Sequence, residues 1–229
     1  KPKEEAKVSE TKKDGWIHED NQWRFYENNK PVTKWKQIQG KWYYFDKDGN
    51  RISNTTFDGY AFDNDGVMAS GGWIKLTDKW YYSNSSGKIS QEKWEKIGNS
   101  WYYFDKNGIM LSNTIFNGYL FSNSGAMPTN SWVKINEQWY YAQASGKPTQ
   151  LKWENIGNTW YFFNGDGAMV SNQWKGNYFL KASGAMANKE WIFDKTYNSW
   201  FYIKAGGTYA ANEWIGSYYL KSGGYMAKN

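Results

Sequence analysis

The stretch Trp35-Lys36-Gln37-Ile38-Gln39-Gly40-Lys41-Trp42-Tyr43-Tyr44-Phe45-Asp46-Lys47-Asp48-Gly49 decides the fold. Two tryptophans bracket turn chemistry at Gln39-Gly40. The Trp-Tyr-Tyr-Phe run that follows suits a pleated, half-buried surface, so the stretch predicts a β-hairpin. Asp46 to Gly49 then turns the chain toward what comes next. The same text returns from Trp94 to Met110, with Gly98-Asn99 at the tip and Trp101-Tyr102-Tyr103-Phe104 as second strand. All 16 tryptophans occupy just two positions of this unit, and 21% of the chain is Phe, Trp or Tyr in register. Such a chain is a repeat array.

Eleven units can be laid end to end, opening at Trp16, Trp35, Phe57, Trp73, Trp94, Phe116, Trp132, Trp153, Trp174, Trp191 and Trp214. Those at Phe57, Phe116, Trp174 and Trp214 are short and lack the second tryptophan. Through the first nine units every third one is short, so the larger period is three. One hairpin cannot bury its aromatics alone, whereas stacked hairpins can. The expectation is an all-β solenoid over 15–229 with about three hairpins per superhelical turn, preceded by a charged linker or disordered tail over 1–14. A helical reading fails on the 23 glycines and the absence of any sustained 3.6-residue period.

Composition narrows function. Without cysteine there is no disulfide or thiol chemistry, and no stretch approaches the roughly 18 apolar residues of a membrane span. A net charge of +6 favours weak attraction to an anionic polymer. Nucleic acid is disfavoured as a partner, because arginine occurs only at positions 24 and 51 and the lysines are dispersed. His18 is the single histidine and reads as a turn residue, which leaves no His-based metal cluster and no evident catalyst. Asp46 to Gly49 and Asp63 to Gly66 faintly echo a calcium loop but omit its later ligands and closing glutamate, so they read as turns. No cofactor, metal or catalytic residue is assigned.

The unit, opened by Gly15-Trp16 and closed by Gly-x-Met in Gly108-Ile109-Met110, Gly125-Ala126-Met127, Gly167-Ala168-Met169 and Gly184-Ala185-Met186, resembles the choline-binding, or cell-wall-binding, repeats of Gram-positive surface proteins. The resemblance covers residues 15 to 229. It implies a left-handed β-solenoid that binds choline or phosphocholine on teichoic or lipoteichoic acid, at the cell wall of a secreted protein, and anchors a hydrolase, adhesin or other domain there. A quaternary ammonium donates no hydrogen bond, so its natural receptor is a box of ring faces.

In that family a site uses both tryptophans of one hairpin and an aromatic from the Trp-Tyr-Tyr segment of the next. Taking the third residue of the segment as the last wall, the implied cages are Trp16, Trp23 and Tyr44; Trp73, Trp80 and Tyr103; Trp132, Trp139 and Phe162; and Trp191, Trp200 and Tyr219. Lying three units apart, these four would line one side of the array. Trp153 and Trp160 with Phe179 are weaker candidates, while Trp35/Trp42 and Trp94/Trp101 would meet Ala61 and Leu120 and be damaged. Tyr43, Tyr102 and Tyr161 are expected to serve packing, as are Phe45 and Phe104, and the methionines 110, 127, 169, 186 and 226 to fill core gaps.

Two other binding classes stay open. Related aromatic-glycine repeats stack flat rings on glucans or other carbohydrate, and the short units, with Phe57-Asp58-Gly59-Tyr60, lean that way. A rod recruiting another wall protein would expose apolar patches in the short units. The C-terminal hairpin, ending on Gly224-Tyr225-Met226 without a polar cap, is expected to form a homodimer contact or to continue into another domain.

Overall fold

The computed structural model describes residue 3 and residues 11–228, so the linker expected over 1–14 lies largely outside the described residues. Among them there is no α-helix, and the strands form eleven separate sheets, ten of two strands and one of three. Two compact units are distinguished, Lys1–Leu111 and Ser112–Asn229.

Each long repeat is an antiparallel hairpin. Lys34–Ile38 pairs with Lys41–Phe45, placing Trp35 opposite Tyr44 and Gln37 opposite Trp42. Gln39 and Gly40 form its tip at φ 50° and 78°. Positive φ at both central residues gives the two-residue turn whose twist matches the flanking strands. The short repeats keep the same plan at three residues per strand: Thr55–Phe57 pairs with Tyr60–Phe62 across Asp58-Gly59.

The Asp-x-x-Gly segments are turns. Asp46 Oδ1 accepts hydrogen bonds from the backbone N–H of Asp48 (2.9 Å) and Asn50 (2.8 Å), and Asp63 does the same for Asp65 and Val67. Their carboxylates are thus committed to the backbone.

Among the described residues of each unit no continuous ladder joins one hairpin to the next; side chains do, with single backbone bonds such as that from Met68 N–H to the Trp42 carbonyl. Along Lys41–Phe45 successive residues point to opposite faces. Trp42 and Tyr44 share the face of Trp35, while Tyr43 and Phe45 face back to the preceding hairpin, where both rings meet Trp16 at 5.0 and 5.7 Å. The last residue of most second strands is the anchor: Phe45, Phe62, Phe104, Phe163, Leu180, Ile203 and Leu220 are fully buried. Each such side chain contributes about 1.5–3 kcal/mol. The core is accordingly a series of small clusters, such as Leu120, Val133, Ile135, Tyr140, Ala142 and Ala168 in the second unit.

Candidate functional site

In several long hairpins the two tryptophans meet nearly at right angles: Trp16 and Trp23 at 6.3 Å and 84°, Trp35 and Trp42 at 6.3 Å and 80°, Trp73 and Trp80 at 6.1 Å and 90°, Trp132 and Trp139 at 6.3 Å and 85°. Within each compact unit the first of the pair is held against the next hairpin, as Trp16, Trp35, Trp73, Trp132, Trp153 and Trp191 are. The second is open to solvent, with Trp23, Trp42, Trp80, Trp139, Trp160 and Trp200 between 39% and 43% exposed.

The third ring comes from the middle of the next Trp-Tyr-Tyr segment, not from its third residue. Trp16 meets Tyr43 at 5.0 Å, Trp73 meets Tyr102 at 5.0 Å, Trp132 meets Tyr161 at 4.8 Å and Trp191 meets Tyr218 at 5.6 Å. The expected walls Tyr44, Tyr103, Phe162 and Tyr219 instead lie directly across from Trp35, Trp94, Trp153 and Trp214 of their own hairpins. Pleat parity is the reason: a residue sharing a face with its own first tryptophan looks toward the following hairpin and cannot also look back.

The same parity completes the site at Trp35, which the sequence reading marks as damaged, and the weaker candidate at Trp153. In the short repeats the ring one place before Ala61 is Tyr60, which meets Trp35 at 5.0 Å, while Ala61 is core. Likewise Tyr178, not Phe179, meets Trp153, at 5.6 Å. Leu120 is buried in the core of the second unit, and Trp94 and Trp101 keep their paired geometry in the first, at 6.4 Å and 83°. Complete ring sets thus occur at Trp35 and Trp153 as well as at the four expected places.

Methionine closes the cages at Trp35, Trp153 and Trp191, a role the sequence reading misses. A cavity of about 270 Å³ is lined by Trp35, Trp42, Tyr60, Met68 and Ser86. Another of about 290 Å³ is lined by Trp153, Trp160, Tyr178, Met186 and Gly206, and a third of about 380 Å³ by Trp191, Trp200, Tyr218 and Met226. One backbone hydrogen bond fixes the lid, because the N–H of Met68 donates to the carbonyl of Trp42, and those of Met110, Met169 and Met186 to Trp80, Trp139 and Trp160. The signal was present in sequence as a methionine 6 residues after each of Phe62, Phe104, Phe163, Leu180 and Leu220.

No Asp or Glu lines these three cavities. Rings at right angles with a polarizable thioether enclose a volume and offer negative ring faces, which suits a cation needing no hydrogen bond. Fold and site together define a class: an all-β hairpin array carrying aromatic cages between successive hairpins. The chain belongs to the choline-binding repeat family. Models described as "Choline-binding repeat" match residues 91–132 and 168–207, and one described as "Putative cell wall binding repeat" matches residues 33–50, 71–89, 130–147 and 152–169.

Among solved structures the fold is similar to the modular autolysin LytC of Streptococcus pneumoniae, at 24% identity and a TM-score of 0.58. The match covers 94% of this chain and 53% of that one, so the chain spans about half the length of LytC. It is also similar to choline binding protein F of the same organism, at 22% identity and a TM-score of 0.51, over 93% of this chain and 98% of that one. Among curated proteins, none matches the chain.

Proposed function

We propose that this chain is a non-catalytic anchoring module that binds choline or phosphocholine of teichoic acids at the bacterial surface, many sites at a time. One observation carries the reading: two tryptophans, a tyrosine and a methionine converge on a cavity that no carboxylate lines, as at Trp35, Trp42, Tyr60 and Met68. A primary amine would call for a carboxylate partner; a trimethylammonium does not. The residues assigned to binding are Trp35, Trp42 and Tyr60; Trp73, Trp80 and Tyr102; Trp132, Trp139 and Tyr161; Trp153, Trp160 and Tyr178; and Trp191, Trp200 and Tyr218. A left-handed winding of about three hairpins per turn, a homodimer contact through the C-terminal hairpin and an attached hydrolase or adhesin domain belong to the same proposal. Exposure of Trp214 at 67% and Tyr218 at 53% supports the C-terminal contact, which sedimentation across a concentration series checks.

Titration with free choline, followed by tryptophan fluorescence and thermal unfolding, tests the function, with dextran and an ammonium salt of matched ionic strength as controls. Saturable quenching and a raised melting temperature with choline alone are expected, because a ligand selective for the folded state stabilises it. No response to choline would sink the cage assignment. Carbohydrate is the second reading, favoured by one feature: a cavity of about 190 Å³ lined by Trp174, Asn177, Tyr197, Phe201, Tyr209 and Tyr225 among others, with Tyr197 52% exposed. The dextran arm tests it.

A further inference from the structure

The first cage differs from the rest. At the place where Met68 closes the second cage, the first carries Arg51. The equivalence is positional: Arg51 N–H donates to the carbonyl of Trp23 at 2.8 Å as Met68 N–H does to Trp42, and Arg51 bridges Phe45 as Met68 bridges Phe62. Both side chains also run beneath the glycine of the following turn. A Cβ on Gly66 would lie 2.5 Å from Arg51 Cδ, and one on Gly87 2.6 Å from Met68 Cε.

The Arg51 guanidinium carbon stands 5.7 Å from the ring centroid of Trp16 and 5.7 Å from that of Trp23. It is thus placed between the two rings. Its Nε is buried without a hydrogen-bond partner, which leaves the ring faces as the compensation for lost water. Burial pushes its pKa below the ordinary arginine value, opposed by Asp65, Tyr43 and Asp63. Lys75 near Trp80 is no parallel, since it lies 5.9 Å from that ring and is its cross-strand neighbour at the hairpin tip.

We infer that Arg51 is a built-in ligand of the first cage, occupying the cation position of Trp16, Trp23 and Tyr43 and keeping choline out. This inference rests on the choline reading for its ligand but not for its geometry. A tethered cation is always present at high effective concentration, so free choline has to displace it and binds this cage at least about tenfold more weakly than a methionine-lidded one. In exchange, the hairpins Gly15–Glu27 and Lys34–Phe45 are clamped together with no ligand bound. The remaining cages are left to respond to the wall polymer.

The test is NMR of the whole chain with 15N-labelled tryptophan and arginine. In the wild type, choline should shift the indole signals of Trp35 and Trp42 while those of Trp16 and Trp23 stay still over the same range. Arg51→Met should make Trp16 and Trp23 titrate and raise bound choline by one per chain in equilibrium dialysis; Arg51→Lys, which keeps a tethered cation, should not. Titration of Trp16 and Trp23 in the wild type within about twofold of Trp35 would overturn the inference. If no tryptophan responds to choline, the choline reading fails, and the Arg51 Nε–H signal decides the rest. A ring-current shift that is lost in Trp23→Ala supports the internal cation, and an ordinary position overturns it.

Discussion

Tyr161 and Phe162 are neighbours in sequence and do different work. Tyr161 faces back to Trp132 at 4.8 Å, whereas Phe162 faces its own partner Trp153 at 5.4 Å and is buried. Tyr161→Ala should therefore remove one choline site per chain with little loss of stability, counted by equilibrium dialysis and checked by urea denaturation. Phe162→Ala should instead cost about 3–5 kcal/mol, the range for deleting a buried phenylalanine ring. The opposite assignment of losses would restore the third-residue wall. The family resemblance points to both tryptophans of a long hairpin, and the register puts the pair on one face, as with Trp35 and Trp42. The tyrosine was not readable in the sequence, since choosing between adjacent aromatics needs to know which neighbour each face meets, and that is a property of stacking rather than of the strand. Met68 and Arg51 were missed for a related reason: a lid lies more than twenty residues from the tryptophan whose carbonyl holds it.

At the scale of the hairpin, the polar residues that secure the array are not those of the cages. Asp194 is 8% exposed and accepts from Trp174 Nε1 at 2.7 Å and from the backbone N–H of Thr196 and Tyr197. It ties the short hairpin at Trp174 to the next long one. Asp194→Ala leaves those donors without their partner, which should cost about 1–3 kcal/mol in denaturant unfolding, and Asp194→Asn should recover part of it. In the first hairpin, Glu19 accepts from Lys13 at 2.8 Å, from the Tyr26 hydroxyl and from Arg24 at 3.1 Å. The Lys13 ammonium, then Tyr26, hold its carboxyl at about 2, below the ordinary 4.5. A depressed carboxylate stabilises the fold above its unfolded value and loses that contribution as pH falls through the folded one. Glu19→Gln should therefore flatten the fall in melting temperature between about pH 4.5 and 2 and leave the slope above pH 6 unchanged. The hairpins and their tips were legible from Trp-Tyr-Tyr and the turn residues, but Asp194 was not. Nothing in Phe193-Asp194-Lys195 tells that an indole twenty residues away needs an acceptor.

For the molecule as a whole, affinity has to come from number. Three rings at about 0.5–2 kcal/mol each bracket the roughly 4 kcal/mol of a millimolar site, so on the proposed function one cage would hold free choline weakly. Methionine lines the cages at Trp35, Trp153 and Trp191, and the same backbone bond places Met110 and Met169 at those of Trp73 and Trp132, five in all. Linking sites to a polymer that repeats its ligand raises retention by about 10²–10⁴ without any new contact. The net charge of +6 adds a salt-sensitive attraction to an anionic polymer. Trp73→Ala and Trp132→Ala each remove a wall of one cage, the first in one unit and the second in the other. Singly, each should lower the number of choline molecules bound in solution by one and leave the affinity of the remaining sites unaltered. On a choline-bearing resin the double variant should elute at a much lower free-choline concentration than either single one, a steeper loss than two sites in five. Elution that falls only in proportion to the number of sites would mean that the cages act independently on the polymer, and that surface retention needs another contact.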